Sequence, residues 1–114
     1  MMLEHLNPES SPPPRTVLVC AAGFVGGAIH ECLSRETAPL LALTPEHVDL
    51  LAEGATEALA RKLQENDALV LVSALAPCKD NSSLLKNLRM VEAVCAATQN
   101  TTLSHLVYFS SDAV

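Results

Sequence analysis

The sequence predicts an α/β domain built on a doubly wound parallel sheet, and three observations carry that prediction. Short aliphatic and β-branched runs alternate with segments whose apolar residues recur every three to four positions, the pattern of βαβ units. Glycines follow the first of those runs at once and open a helical segment. The length, 114 residues, suits a single domain, for which about 150 residues is the usual allotment.

The elements follow in order. Residues 1–15 hold Pro8, Pro12, Pro13 and Pro14 among Glu9, Ser10 and Ser11, which disfavours helix and strand and predicts a disordered tail. Thr16-Val17-Leu18-Val19-Cys20 opens the domain, residues 16–114, as a strand buried on both faces. Phe24 to Arg35 reads as a helix with Val25, Ala28, Ile29, Cys32 and Leu33 turned inward. Leu40 to Thr44 is the second strand, closed by Pro45, and Val48-Asp49-Leu50 is a vestigial third. A helix over 56–66 takes Thr56 as its cap and buries Leu59 and Leu63. Ala68 to Ser73 is the fourth strand. Asn81 or Ser82 caps a helix reaching about Gln99 on the stripe Leu84, Leu88, Val91, Cys95 and Thr98. His105 to Phe109 is the fifth strand, with Tyr108 a core or edge aromatic. Right-handed crossovers give the order 3-2-1-4-5, with a ligand crevice at the carboxyl ends of the first and fourth strands.

Composition excludes several function classes. The net charge of −6 repels phosphate backbones, so nucleic acid is not an expected partner. The longest apolar stretch, Ala68 to Ala76, is far shorter than the ~20 residues that cross a bilayer. The first residues, with Glu4 before any apolar run, do not read as a secretory signal, and a cytoplasmic location is expected. Cys20, Cys32, Cys78 and Cys95 match neither a zinc pattern nor a short disulfide scaffold. Cys32 and Cys95 read as small hydrophobes on inward helix faces. His5, His30, His47 and His105 are scattered and read as surface or capping residues, without a metal site.

The chemistry-bearing segment is Cys20-Ala21-Ala22-Gly23-Phe24-Val25-Gly26-Gly27. A strand-to-helix turn of this kind brings backbone N–H groups and a helix N-terminus against a pyrophosphate, and Gly23 and Gly26 permit the close approach. Ala22-Gly23-Phe24-Val25-Gly26 resembles the glycine turn of the extended short-chain dehydrogenase/reductases, the NAD-dependent epimerase/dehydratase family. The resemblance continues through Asn66 to Ala74, similar to that family's Asp-led fourth strand, through Asn87 to Ala97, and through His105 to Val114, similar to its fifth strand ending in Ser-Ser-Asp.

That resemblance implies a Rossmann-like fold binding NAD or NADP, a small-molecule substrate such as a nucleotide sugar, and oxidoreductase chemistry. It places Cys20, Gly23, Phe24, Val25 and Gly26 at the pyrophosphate, Thr44 at the end of the second strand, Asp49 and Leu50 by the adenine, and Ser73 and Ala74 beside the nicotinamide ribose. Ser111 then matches a hydroxyl that binds the substrate oxygen, and Asp112 an acid for water loss. The chain departs from the family at Cys20, where its first glycine falls, and at Thr44-Pro45, where an acid would select NAD. Glu46 is the only carboxylate close by, and no Arg or Lys stands there for a 2′-phosphate, so both dinucleotides stay open. The family's Tyr-x-x-x-Lys pair is absent from the 114 residues. The expectation is the cofactor-binding portion of such an enzyme, truncated after about the fifth strand and inactive alone. The alternative is a non-catalytic dinucleotide-binding or degenerate module. The edge of the fifth strand is expected to recruit a second copy into a homo-oligomer.

Overall fold

The structure, a computed structural model, describes residues 12–21, 23–72 and 80–109. Four strands, β1 (Thr16–Val19), β2 (Leu40–Leu43), β3 (Ala68–Leu71) and β4 (His105–Tyr108), alternate with three helices, α1 (Phe24–Ser34), α2 (Ala55–Lys62) and α3 (Asn81–Ala97). The strands form one parallel sheet in the order β2-β1-β3-β4. That is the predicted order without its third strand, so the predicted fourth and fifth strands are β3 and β4.

Val48–Leu50 forms no strand. The Thr44 carbonyl accepts from the amides of His47 and Val48, at 2.9 and 3.1 Å, and the Asp49 Oδ1 accepts from the Leu51 amide at 3.0 Å. Those bonds curl the segment into turns, and Val48 and Leu50 are buried without a ladder.

Alternation along the strands gives the sheet two faces. Val17, Val19, Leu43, Leu69 and Leu71 join Leu59 and Leu63 of the α2 region and Met90, Val94 and Ala97 of α3 in the core. Leu18, fully buried outside that cluster, lies on the opposite face, and α1 packs on β1 and β2. Helices therefore cover both faces, as right-handed crossovers in opposite directions require.

The helix faces differ from expectation. In α3 the buried residues are Met90, Val94 and Ala97, while Leu84, Leu88 and Cys95 of the expected stripe are exposed. Asp80 caps this helix, its Oδ1 accepting from the Ser83 amide at 2.8 Å, one residue before the predicted cap. In α1 only Gly26 is buried; Ile29 and Leu33 are half-buried, and Val25, Ala28 and Cys32 are exposed. Cys32 and Cys95 thus face solvent and do not pack as hydrophobes. The inward face of α1 is narrow because it approaches the sheet through glycine.

Helix α2 starts from Gly54, whose φ of 82° is left-handed, and not from Thr56. It stops at Lys62 because Leu63 turns extended and the Gln64 amide donates to Asp67 Oδ2 at 2.8 Å. Leu59 and Leu63 are buried as predicted.

Candidate functional site

The site is built at the carboxyl ends of β1 and β2. Beyond Val19 the chain turns sharply at Cys20, whose φ of 66° lies in the left-handed region that side chains avoid. The Cys20 side chain packs against the core cluster. Glycine tolerates this conformation without a Cβ clash.

Gly23 then starts α1 with a φ of 104°. Its carbonyl accepts from the Gly27 amide at 2.8 Å, and no side chain caps the helix. Among the described residues, a Cβ on Gly23 would meet nothing within 4 Å. At Gly26 the reverse holds. A Cβ there would overlap the Cys20 carbonyl oxygen and stand 3.2 Å from its carbon, so the first turn of α1 can press on the end of β1 only through glycine. Phe24 is 95% exposed and Val25 is exposed beside it.

Chemically, this turn offers N–H groups without a side-chain cap at the positive end of a helix, with none of the described residues within 4 Å of a Cβ on Gly23. Such a start favours an anionic oxygen. The residues therefore fit a pyrophosphate.

The end of β2 is tied to the same turn, because the Ala21 amide donates to the Leu43 carbonyl at 2.9 Å. Thr44 follows directly. Cys20, Gly23, Phe24, Val25, Gly26 and Thr44 are thus brought to one end of the sheet. Asp49 is exposed and occupied with the Leu51 amide, and Leu50 is part of the core. Ser73, Ala74, Ser111 and Asp112 lie outside the described residues, as does Cys78. Among the described residues, no cluster of His, Cys, Asp or Glu could hold a metal ion, and no helix is long and apolar enough to cross a membrane.

Two side-chain arrangements were not foreseen from the sequence. Arg15, placed in the tail by composition, clamps Asp67: Nε donates to Oδ1 at 3.0 Å, and Nη2 donates to Oδ2 at 2.7 Å and to the Lys62 carbonyl at 2.6 Å. Asp67 is 1% exposed. Arg15 and Asp67 immediately precede β1 and β3, which pair Thr16 with Ala68, so residues just before adjacent parallel strands were the available signal. The second arrangement is Thr44 with His47, whose Nδ1 lies 3.0 Å from both the Thr44 amide nitrogen and its Oγ1.

No family model matches this sequence, and neither a curated protein nor a solved structure shows significant similarity to it.

Proposed function

We propose that this chain is a dinucleotide-binding α/β domain of the Rossmann-like type, the NAD(P)-binding portion of an epimerase/dehydratase-type oxidoreductase. The observation that carries the reading is the strand-to-helix turn, where Gly26 lets α1 close on β1 while the start at Gly23 carries no side-chain cap. In this reading the amides following Gly23 bind the pyrophosphate, and the Thr44 turn lies toward the adenosine. The crevice falls between β1 and β3, the neighbours at which the strand order reverses.

A bound nicotinamide dinucleotide supplies hydride transfer. The chain's own part is to hold it. In the same reading the Ser111 hydroxyl binds a substrate oxygen and Asp112 serves as an acid. The sole tyrosine, Tyr108, has Asp112 four positions on where the family pattern has lysine, so no turnover is expected from this chain alone. That substitution equally supports a second reading, a dinucleotide-binding module without catalysis.

The test is calorimetric titration of NAD and of NADP against the purified chain and its Gly23→Ala variant, with circular dichroism to verify the fold. Binding by the parent that is lost in the folded variant supports the proposal, because the added Cβ strains the positive φ from which the helix starts. Absence of heat with both dinucleotides refutes it.

A further inference from the structure

The proline run Pro12-Pro13-Pro14 enters β1 at its amino end, away from the glycine turn, and the dinucleotide reading makes no use of it. We propose that this run is a docking ligand for a protein module of the WW type, one whose groove clamps consecutive proline rings between aromatic side chains.

Covalent geometry sets the shape of the run. Each pyrrolidine ring locks φ near about −65°, and a residue that precedes a proline is pushed to extended ψ. Pro12 and Pro13 both precede prolines, which leaves them the polyproline II conformation, and neither belongs to a helix or strand. Three residues make one turn of that helix, so the three rings form three separate ridges. Pro13 is half-buried, whereas Pro12 and Pro14 are exposed. One ridge therefore leans on the domain and two face outward. Among the described residues, none donates a hydrogen bond to the carbonyls of Pro12, Pro13 or Pro14, so these acceptors are open to the Trp N–H and Tyr O–H groups of an aromatic groove.

The run is also fixed at its base. The Arg15 carbonyl accepts from the Ala68 amide at 2.9 Å, and the Thr16 amide donates to the Pro39 carbonyl at 3.0 Å. A ligand already stiff and tethered loses little freedom on binding. The same anchoring selects the partner. Arg15 Nε and Nη2 are held by buried Asp67, so the one cation beside the run is engaged within the domain. No two prolines of the chain stand three positions apart, so the Pro-x-x-Pro spacing of SH3 ligands is absent. What remains is an uncharged pair of outward rings with open carbonyls, which suits a groove that reads adjacent prolines by aromatic contact.

The experiment titrates the purified chain into a set of WW domains that read adjacent prolines and follows the tryptophan fluorescence of the groove, since this chain has no tryptophan. An SH3 domain serves as comparison, and circular dichroism verifies the fold of each variant. Saturable binding to a WW domain is expected. Pro13→Ala should weaken it by about 2- to 5-fold, the effect of freeing one backbone position. Pro12→Ala and Pro14→Ala each lose a ring contact as well and should weaken it by about tenfold or more. No fluorescence change with any WW domain, binding to the SH3 domain alone, binding unchanged in folded Pro12→Ala and Pro14→Ala, or a Pro13→Ala loss as large as theirs overturns the proposal. Each of these outcomes leaves dinucleotide binding untouched.

Discussion

Adjacent glycines in α1 should respond to the same substitution with opposite signs. Replacing a helix-interior glycine by alanine ordinarily stabilises by about 0.5–1 kcal/mol, because the unfolded chain loses freedom and the helix gains a better former. At Gly27 nothing opposes that gain, since the nearest atom to an added Cβ is the Ala21 carbonyl oxygen at 3.9 Å, an ordinary contact. At Gly26 the added Cβ overlaps the Cys20 carbonyl. That is backbone, already held in a left-handed turn, and it cannot swing aside as a side chain would. Overpacking of this kind costs about 1–3 kcal/mol, and the helix-propensity gain offsets only part of it. Gly26→Ala should therefore lose a net ~1–2 kcal/mol and Gly27→Ala should gain ~0.5–1 kcal/mol. Urea unfolding followed by far-ultraviolet circular dichroism reads both, with a common m-value expected because the surface exposed on unfolding is shared. In a domain of this size each kcal/mol moves the thermal midpoint by about 4–8 °C. If Gly26→Ala is as stable as Gly27→Ala, the close approach of α1 to β1 is not as described, and the geometry on which the pyrophosphate site rests goes with it.

Further expectations test other parts of the molecule. Arg15→Ala should cost about 3 kcal/mol, since it strands a buried Asp67 carboxylate; a loss under ~1 kcal/mol in denaturant unfolding would show that the clamp contributes little. Cys20→Gly relieves about 1–2 kcal/mol of left-handed strain but gives back about 0.5–1 in chain freedom and loses the thiol's packing, so its urea midpoint should stay close to the parent's; a large loss would mean that the thiol's packing dominates. The Ser83 amide above all, then the Ser83 side chain and Lys86, holds the exposed Asp80 carboxyl below its ordinary value of 3.8. Because the folded value is the lower one, the Asp80 contribution is present above that ordinary value and lost as pH falls through the folded one; Asp80→Asn should flatten this acid limb in thermal melts, and an unchanged limb would contradict it. The outer edge of β4, with Leu106, Val107, Tyr108 and Phe109 exposed and no Lys, Pro or acid along it, should draw a second copy. Light scattering should show a dimer or larger species that Val107→Lys reduces, and a monomeric parent would refute this.

The parts of the fold that burial alone dictates were legible in the sequence. Val17 to Val19 and Leu69 to Leu71 are runs no helix pattern explains, and both became central strands. Helix α3 was legible as a helix but not in phase. Its sequence places apolar residues at Leu84, Leu85 and Leu88 as well as at Met90, Val91 and Val94, so two stripes compete, and contacts with α2 decide between them. The Val48–Leu50 segment misled for a related reason: alternation marks burial of Val48 and Leu50, but Asp49 and the Thr44 carbonyl claim the backbone for turns. At the candidate site the glycines were readable one by one. The contact between the Thr44 amide and His47 Nδ1 was not, because no spacing rule announces it.

The position of β1 bears on how the chain folds as it is made. Both of its neighbours come later: Thr16 pairs with Leu40 and with Ala68, so the two ladders enclose loops of 24 and 52 positions. Contacts between residues this far apart slow folding, because the chain must be ordered before the pairing returns anything. During synthesis from the N-terminus, β1 has left the ribosome well before β3, its partner on one side, is complete at Leu71. For that interval Val17, Leu18 and Val19 form an apolar strand with no stable sheet to enter, the kind of segment that chaperones hold and that aggregates when they do not. Slowing translation ahead of Leu71 should therefore prolong the vulnerable interval, whereas slowing it after Tyr108 should not.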